Sequence, residues 1–314
     1  MAITDNLHMM IKVCQMYYVD DLNQKDISDR LGISRPQISR ILTSAKRNNY
    51  VSIKINDPYE NETRLEKEII SRFRIKDALI LNVEHFSGTG KLTEFCKGAA
   101  DYLSDFIADH ERIGVMSGQT ISGMVHQMKR INRSGVEIIP LMGGLGSENS
   151  DLHANSIAAY LAGICNGKNY VLNAPVIVQN QQSKEILLQE PEIASVLELG
   201  KKCDLTIVGI GQVNVMSTTA IAGKWSESDI SELQKYGAVA SVCNSFLDQN
   251  GRMIQAAICE RTIGQTLDTI SSSKKIGIAI GKENAMAIHA TISSGYLDVL
   301  MTDIETANEI LKKQ

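Results

Sequence analysis

No stretch of this sequence approaches the roughly 18 consecutive apolar residues of a membrane span. The opening MAITDNLHMMIKVC carries an acid early and no apolar core ending in small residues, so no signal peptide is expected and the expected compartment is the cytoplasm. Cysteine never comes in close pairs. Cys14, Cys96, Cys165, Cys203, Cys243 and Cys259 stand singly, without a CxxC, which argues against a zinc knuckle or a disulfide framework and leaves lone reduced thiols. His8, His85, His110, His126, His153 and His289 show no HxxxH or HExxH spacing, so neither a metal nor a cofactor is implied. No GxSxG elbow and no GxGxxG fingerprint occurs. SGTGKL (87–92) starts like a phosphate loop, but His85 stands where the first glycine of a Walker motif belongs. The single tryptophan, Trp225, reads as a packing or helix-start residue. Catalytic constellations are therefore thin.

What is present is an ordinary globular composition, 43% hydrophobic and 22% charged, over 314 residues, long enough for two domains. Charge is unevenly divided. Residues 1–55 hold eight bases and five acids, a balance of +3; the whole chain is −4, so the remainder carries −7. A small basic head on an acidic body suggests an anionic partner for the head alone.

The head reads as three helices followed by a strand. Met10, Ile11, Cys14, Tyr17 and Tyr18 fall on one helical face. Asn23 can cap a second helix, with Asp26 three residues on, and Gly32 ends it in the left-handed manner. In LGISRPQISRIL (31–42), Ser34 is a strong N-cap, which puts Arg35 and Pro36 in the first turn, where a missing N–H breaks no helical bond. Ile38, Leu42 and Ala45 repeat on the inner stripe. Two helices joined by a short glycine turn describe a helix-turn-helix, whose second helix enters the DNA major groove. Arg35, Gln37, Ser39 and Arg40 project from the entering end, where Arg suits guanine and Gln suits adenine. Gln24, Ser34 and Thr43 complete the expected DNA-facing set, and Lys46 with Arg47 is expected on phosphates. YVSIKI (50–55) alternates like a strand and is expected to form a wing.

NDPYENET (56–63) is polar and turn-rich, which sets the expected domains at 1–56 and 57–314. Beyond it, strands (DALILNV, RIGVMS, VEIIPLMGG, CDLTIVGIG, KKIGIAIG, DVLMT) alternate with helices expected at 91–109, 120–130, 151–164, 183–199, 226–236, 284–294 and 303–313; YVLNAPVIV (170–178) reads as extended and FLDQNG (246–251) as a hairpin turn. Such alternation implies an α/β body with a mainly parallel sheet and sites at the carboxyl ends of its strands. GVMSGQT (114–120) runs from strand to helix and offers backbone N–H groups and hydroxyls as a cradle for an anion or a polyol; LMGGLGS (141–147) is a second such turn.

With these motifs in order, YYVDDLNQKDISDRLGISRPQISRILTSAKRNNYVSIKI, RIGVMSGQT, IIPLMGG, LTIVGIG, FLDQNG, GIAIG and YLDVLMTDIETANEIL, the chain resembles the SorC family of bacterial sugar-responsive transcription regulators over nearly all of residues 9–312. The resemblance implies a helix-turn-helix head and an effector domain with the fold of sugar-phosphate isomerases and glucosamine-6-phosphate deaminases. It also implies a tetramer on a palindromic operator, released or rearranged by a sugar or sugar phosphate. Ser117, Gly118 and Thr120, with Gln119 between them, match the family's phosphate-contacting loop, and Gly143-Gly144 match its neighbour. Three positions depart. Ser241 stands where many members carry Asp, Asn284 where many carry Lys, with Lys282 two residues earlier, and Met142 where one member carries a Schiff-base Lys. The lost lysine leaves a free sugar or polyol and its phosphate as equal expectations for the effector.

The leading expectation is a sequence-specific DNA-binding regulator of a carbohydrate or polyol catabolic operon, not an enzyme. The alternative is a sugar-phosphate isomerase or deaminase with an accessory DNA-binding head; Asp204, Asp248 and Asp303 are the acids nearest predicted strand ends, and none has those enzymes' spacing. A third reading gives the body a protein partner and no small molecule.

Overall fold

In the computed structural model, which describes residues 7–146, 150–215, 220 and 225–313, the second and third head helices begin and end where their capping residues stand. These helices are α1 (Leu7–Tyr18), α2 (Gln24–Leu31) and α3 (Arg35–Arg47). The Asn23 side chain accepts the N–H groups of Lys25 at 2.9 Å and Asp26 at 3.1 Å, at the positive end of α2. Gly32 sits at φ +68° and donates its N–H to the Ser28 carbonyl, a reversal that glycine makes without strain. α3 starts at Ser34 with Pro36 in its first turn. Met10, Val13, Cys14, Ile27, Ile38, Ile41, Leu42 and Ala45 are buried together as the head's own core. Residues 50–55 form no strand, and Ile53 and Ile55 are exposed. A strand needs a partner ladder, and the head holds none among its described residues, so the expected wing is absent there.

The chain divides into two compact units, Met1–Pro58 and Tyr59–Gln314. In the second, α4 (Glu60–Phe73) begins inside the segment read as linker. A parallel sheet follows in the order β1-β10-β9-β5-β2-β3-β4, made by Asp77–Leu81, Val299–Asp303, Lys274–Ile278, Leu205–Gln212, Arg112–Val115, Glu137–Pro140 and Lys168–Asn169. The central strands are largely apolar because helices cover both faces; all five residues of β10 are buried. Among the connecting helices are α5 (Thr89–Phe106), α6 (Gln119–Gln127), α7 (Ala154–Cys165), α8 (Gln181–Leu188) and α9 (Pro191–Gly200).

Two sequence expectations change, and a third, the extended reading of 170–178, holds. The helix expected over 183–199 is two helices, because Pro191 cannot continue α8 and instead starts α9. Residues 170–178 run extended but pair only through isolated bridges, Gly144 to Pro175 and Ile177 to Thr262. The long β5 continues past the parallel sheet into an antiparallel extension, β6 (Ala238–Val242), β7 (Ser245–Asp248) and β8 (Met253–Ile254), of which only the final turn was foreseen. Between β6 and β7 lie two left-handed residues, Cys243 at φ +47° and Asn244 at φ +51°, a tight hairpin turn without glycine.

All six cysteines are free thiols; five are buried, and burial pushes Cys96 and Cys165 up to about 11 and Cys203 up to about 12. His289, on the helix Ala285–Ser293, meets the Phe73 ring edge-on at 5.3 Å and leaves its Nδ1 without a hydrogen bond. Burial, aided by Arg72 and Lys313, holds its pKa below the ordinary histidine value. The unfolded chain therefore takes up this proton first, near pH 6.5, and acidification below that pH favours unfolding. Denaturant titrations between pH 7.5 and 5 should show this loss, and His289→Leu should diminish it.

Candidate functional site

The strand order reverses around β5: the chain proceeds outward through β2, β3 and β4 on one side and returns through β9 and β10 on the other. In parallel α/β sheets such a switch point opens a crevice at the strands' carboxyl ends. A cavity of about 570 Å³ lies there. The end of β2 supplies Met116 and the loop Ser117, Gly118, Gln119 and Thr120; the end of β5 supplies Gln212 and, just beyond, Asn214; the β6–β7 hairpin supplies Ser241, Cys243, Asn244 and Phe246; the segment after β9 supplies Ile280, Glu283 and Asn284; Trp225 and Thr262 add to the wall, and apolar residues such as Leu92, Met142, Leu145 and Val176 fill much of the rest. Apolar side chains form most of the lining, and neutral amides and hydroxyls, two aromatic rings and one carboxylate are set among them, the mixture expected of a small-molecule site.

The glycine loop is tightly engaged. Ser117 Oγ accepts the Ala154 N–H at 2.8 Å, and the Gly118 N–H donates to the Leu152 carbonyl at 3.1 Å. The next N–H groups, of Gln119, Thr120 and Ile121, open α6 and have no acceptor within that helix. Gly118 sits at φ +152°, a conformation reserved for glycine. An added Cβ would meet nothing nearer than Ile121 Cδ1 at 4.0 Å, so Gly118→Ala is penalised through its backbone alone. Its expected cost is about 1–2 kcal/mol of stability, with loss of any effector response; thermal unfolding with and without effector checks both.

Trp225 is placed by its neighbours. The Ser226 N–H donates to Asp229 Oδ2 at 3.0 Å, closing a capping box for the helix Glu227–Lys235, and Arg261 donates to Asp229 Oδ1 at 2.5 Å. In the hairpin, Asn244 Nδ2 donates to the Gln265 carbonyl at 2.9 Å, tying the left-handed turn to the body. Gly281, at φ +99°, leaves open the space into which Glu283 folds back: a Cβ there would lie 2.2 Å from Glu283 Oε1. Asn284 Nδ2 donates to the Ile280 carbonyl at 2.7 Å.

Two sequence expectations fall outside the cavity wall. Gly143 and Gly144 do not line it; Gly143 packs where a Cβ would meet the Ala174 and Pro175 backbone at 2.6 Å, and the Gly144 N–H donates to Ala174. Their smallness admits the 174–176 segment rather than a ligand. Lys282 also points away: it is exposed, and its Nζ lies 3.0 Å from Glu305 Oε1. Ser147, which ends the second glycine turn, lies outside the described residues. Conversely, Gln212, Asn214, Asn244, Thr262 and Glu283 line the cavity without having been anticipated. The acids considered for catalysis are committed elsewhere. Asp204 accepts the Arg112 N–H, Asp248 accepts two N–H groups of its own turn, and Asp303 caps the last helix, Ile304–Leu311. No metal-binding cluster of His, Cys, Asp or Glu occurs among the described residues.

On the head, Arg35, Ser39, Arg40, Thr43, Lys46 and Arg47 are exposed along α3, while Ile38, Ile41, Leu42 and Ala45 face inward. Gln37 differs from its expected role. Its Oε1 accepts the Ser34 N–H at 3.1 Å and the Ser34 hydroxyl at 3.0 Å, so it closes the helix start. Lys46 Nζ sits 5.6 Å from the Tyr18 ring centre.

A helix-turn-helix unit joined to an α/β unit with a cavity of mixed polarity is the architecture of a ligand-responsive transcription regulator. The chain belongs to the family described as "Putative sugar-binding domain", whose model matches residues 57–312. It is similar to the deoxyribonucleoside regulator of Bacillus subtilis (26% identical, covering 96% of this chain and 97% of that one) and to the transcriptional regulator LsrR of Klebsiella pneumoniae (29%, 96% and 92%). The crystal structure of the full-length sorbitol operon regulator SorC from Klebsiella pneumoniae superposes with a TM-score of 0.76 at 24% identity, over 98% of this chain and 99% of that one. The resemblance to SorC regulators read from the motifs is borne out. No helix among the described residues is long and apolar enough to cross a membrane.

Proposed function

We propose that the protein is a cytoplasmic, sequence-specific DNA-binding regulator of a carbohydrate or polyol catabolic operon, and that it responds to a small carbohydrate in the cavity of its body. The observation that carries this is the exposed Arg35–Arg47 face of a rigidly started helix on its own small core. Relatives named as a deoxyribonucleoside regulator and a sorbitol operon regulator match along almost the whole chain and support the reading. Arg35, Ser39 and Arg40 read base edges; Gln24, Thr43, Lys46 and Arg47 position the head on phosphates; Ser34 and Gln37 hold the start of α3. The effector is held by Ser117, Gly118, Gln119, Thr120, Ser241 and Asn284. The protein works as a homo-oligomer, a tetramer on a palindromic operator, and effector binding favours one arrangement of paired heads over another. The reading as a regulator rather than an isomerase or deaminase is supported by relatives named as regulators.

The test is a nuclease footprint on DNA upstream of its own operon, with and without sugars. A protected palindrome whose pattern changes with one sugar is expected; no protection in any condition would refute the proposal.

A further inference from the structure

The cavity's charge distribution narrows the effector's chemistry, an inference that rests on the carbohydrate-responsive reading above. Glu283 is the one charged side chain among the described residues that line it. Its carboxylate folds over Gly281, and among the described residues it has neither an ion-pair partner nor a hydrogen-bond donor. A carboxylate is an acceptor only, with two oxygens spaced to take two adjacent hydroxyl groups at once. The amides of Gln119 and Gln212 line the same cavity and offer both donors and acceptors, and Asn284 offers its acceptor oxygen.

The features that would hold a phosphate are weakened at the same site. Lys282, the nearest base in sequence to Asn284, is turned out of the cavity and paired with Glu305. Glu305 is also taken by Lys91 at 2.6 Å, so this charge network is satisfied within itself. In the Ser117–Thr120 loop, the Gly118 N–H and the acceptor side of the Ser117 hydroxyl already hold the Leu152–Ala154 segment. Among the described residues, a dianion in the cavity would meet the Glu283 carboxylate and the remaining N–H groups of the α6 turn.

We infer that the effector is an uncharged polyhydroxylated molecule, a free sugar or polyol, and that Glu283 binds it by accepting two neighbouring hydroxyls. The Trp225 indole, held edge-on to Phe246 at 5.2 Å between ring centres, gives the apolar wall for the C–H face of such a ligand.

The experiment is thermal unfolding of the full chain against matched pairs: sorbitol, erythritol, ribose and glucose, each free and as its terminal phosphate. At least one free member is expected to raise the midpoint, while its phosphate does not. Glu283→Gln, an exposed substitution that leaves the fold intact, should weaken the free member about ten- to a hundredfold, as hydrogen bonds to a charged acceptor do. Stabilisation by phosphorylated members alone would overturn the inference and leave the carbohydrate-effector reading standing. Binding of free members that Glu283→Gln does not change would overturn the role of Glu283. A set in which no member of either kind raises the midpoint would remove the carbohydrate reading and this inference with it.

Discussion

Replacing Arg40 by alanine is expected to weaken binding to the operator about ten- to a hundredfold and to leave binding to random DNA nearly unchanged. The reason lies in how α3 is held. Ser34, Pro36 and Gln37 fix its first turn, and Ile38, Ile41 and Leu42 lock its inner face, so Arg40 leaves the helix at a defined height on the exposed side. A bidentate pair between arginine and guanine is worth about 1–3 kcal/mol of discrimination. Lys46, near the far end of the same helix, gives the contrasting result. Lys46→Ala should weaken operator and random DNA alike and reduce the slope of affinity against salt by about one counterion. Titrations of both variants on both DNAs at two salt concentrations decide the matter. Equal losses on the two DNAs for Arg40→Ala would remove it from the bases.

A second large effect is expected at Asp303. Its carboxylate is buried and accepts the N–H of Thr306 at 3.0 Å, the hydroxyl of Thr306 at 2.8 Å and the N–H of Gly281 at 3.2 Å; Lys91 lies 3.7 Å away. One side chain thus ties the end of β10 to the last helix and to the turn that presents Glu283 and Asn284 to the cavity. Asp303→Ala strands the two Thr306 donors, leaves the Gly281 N–H only its 2.8 Å bond to Thr306 Oγ1, and leaves Lys91 to Glu305 alone. The expected loss is roughly 3 kcal/mol, a fall in midpoint of about 6–10 °C for a unit of this size. Calorimetry should show the fall in the body's transition, with the head's transition unmoved. Asp303→Asn keeps the shape and one acceptor oxygen and should lose less, with effector binding weakened more than stability because the Gly281 turn is the part that loosens. An unchanged effector affinity in Asp303→Asn would separate the cap from the cavity.

The head was legible because its signals are local. Asn23, Gly32, Ser34 and Pro36 act within a turn of where they stand, so sequence and structure agree there residue by residue. The wing was misread for the complementary reason: alternation in YVSIKI states a preference, and only a partner strand can realise it. The β6–β7 hairpin escaped notice because its turn is Cys243-Asn244, two left-handed residues held by the Gln265 carbonyl of a distant segment, in place of the usual glycine signal. In the site, the loop at Ser117–Thr120 could be read from strand-to-helix spacing. Gln212, Asn244 and Thr262 could not, because they reach the cavity only through pairing between distant strands. Lys282 was misplaced by its proximity to Asn284 along the chain: on the short turn between them, two residues carry a side chain from the cavity to the outside, where Glu305 receives it.

The head and the body each enclose their own apolar core. A substitution that loosens one leaves the interior of the other packed as before. On the proposed function, which DNA is addressed and which molecule is sensed are thus written in separate blocks of sequence. Such a protein can acquire a new signal without surrendering its old address, and a laboratory can graft its sensor beneath a different reader.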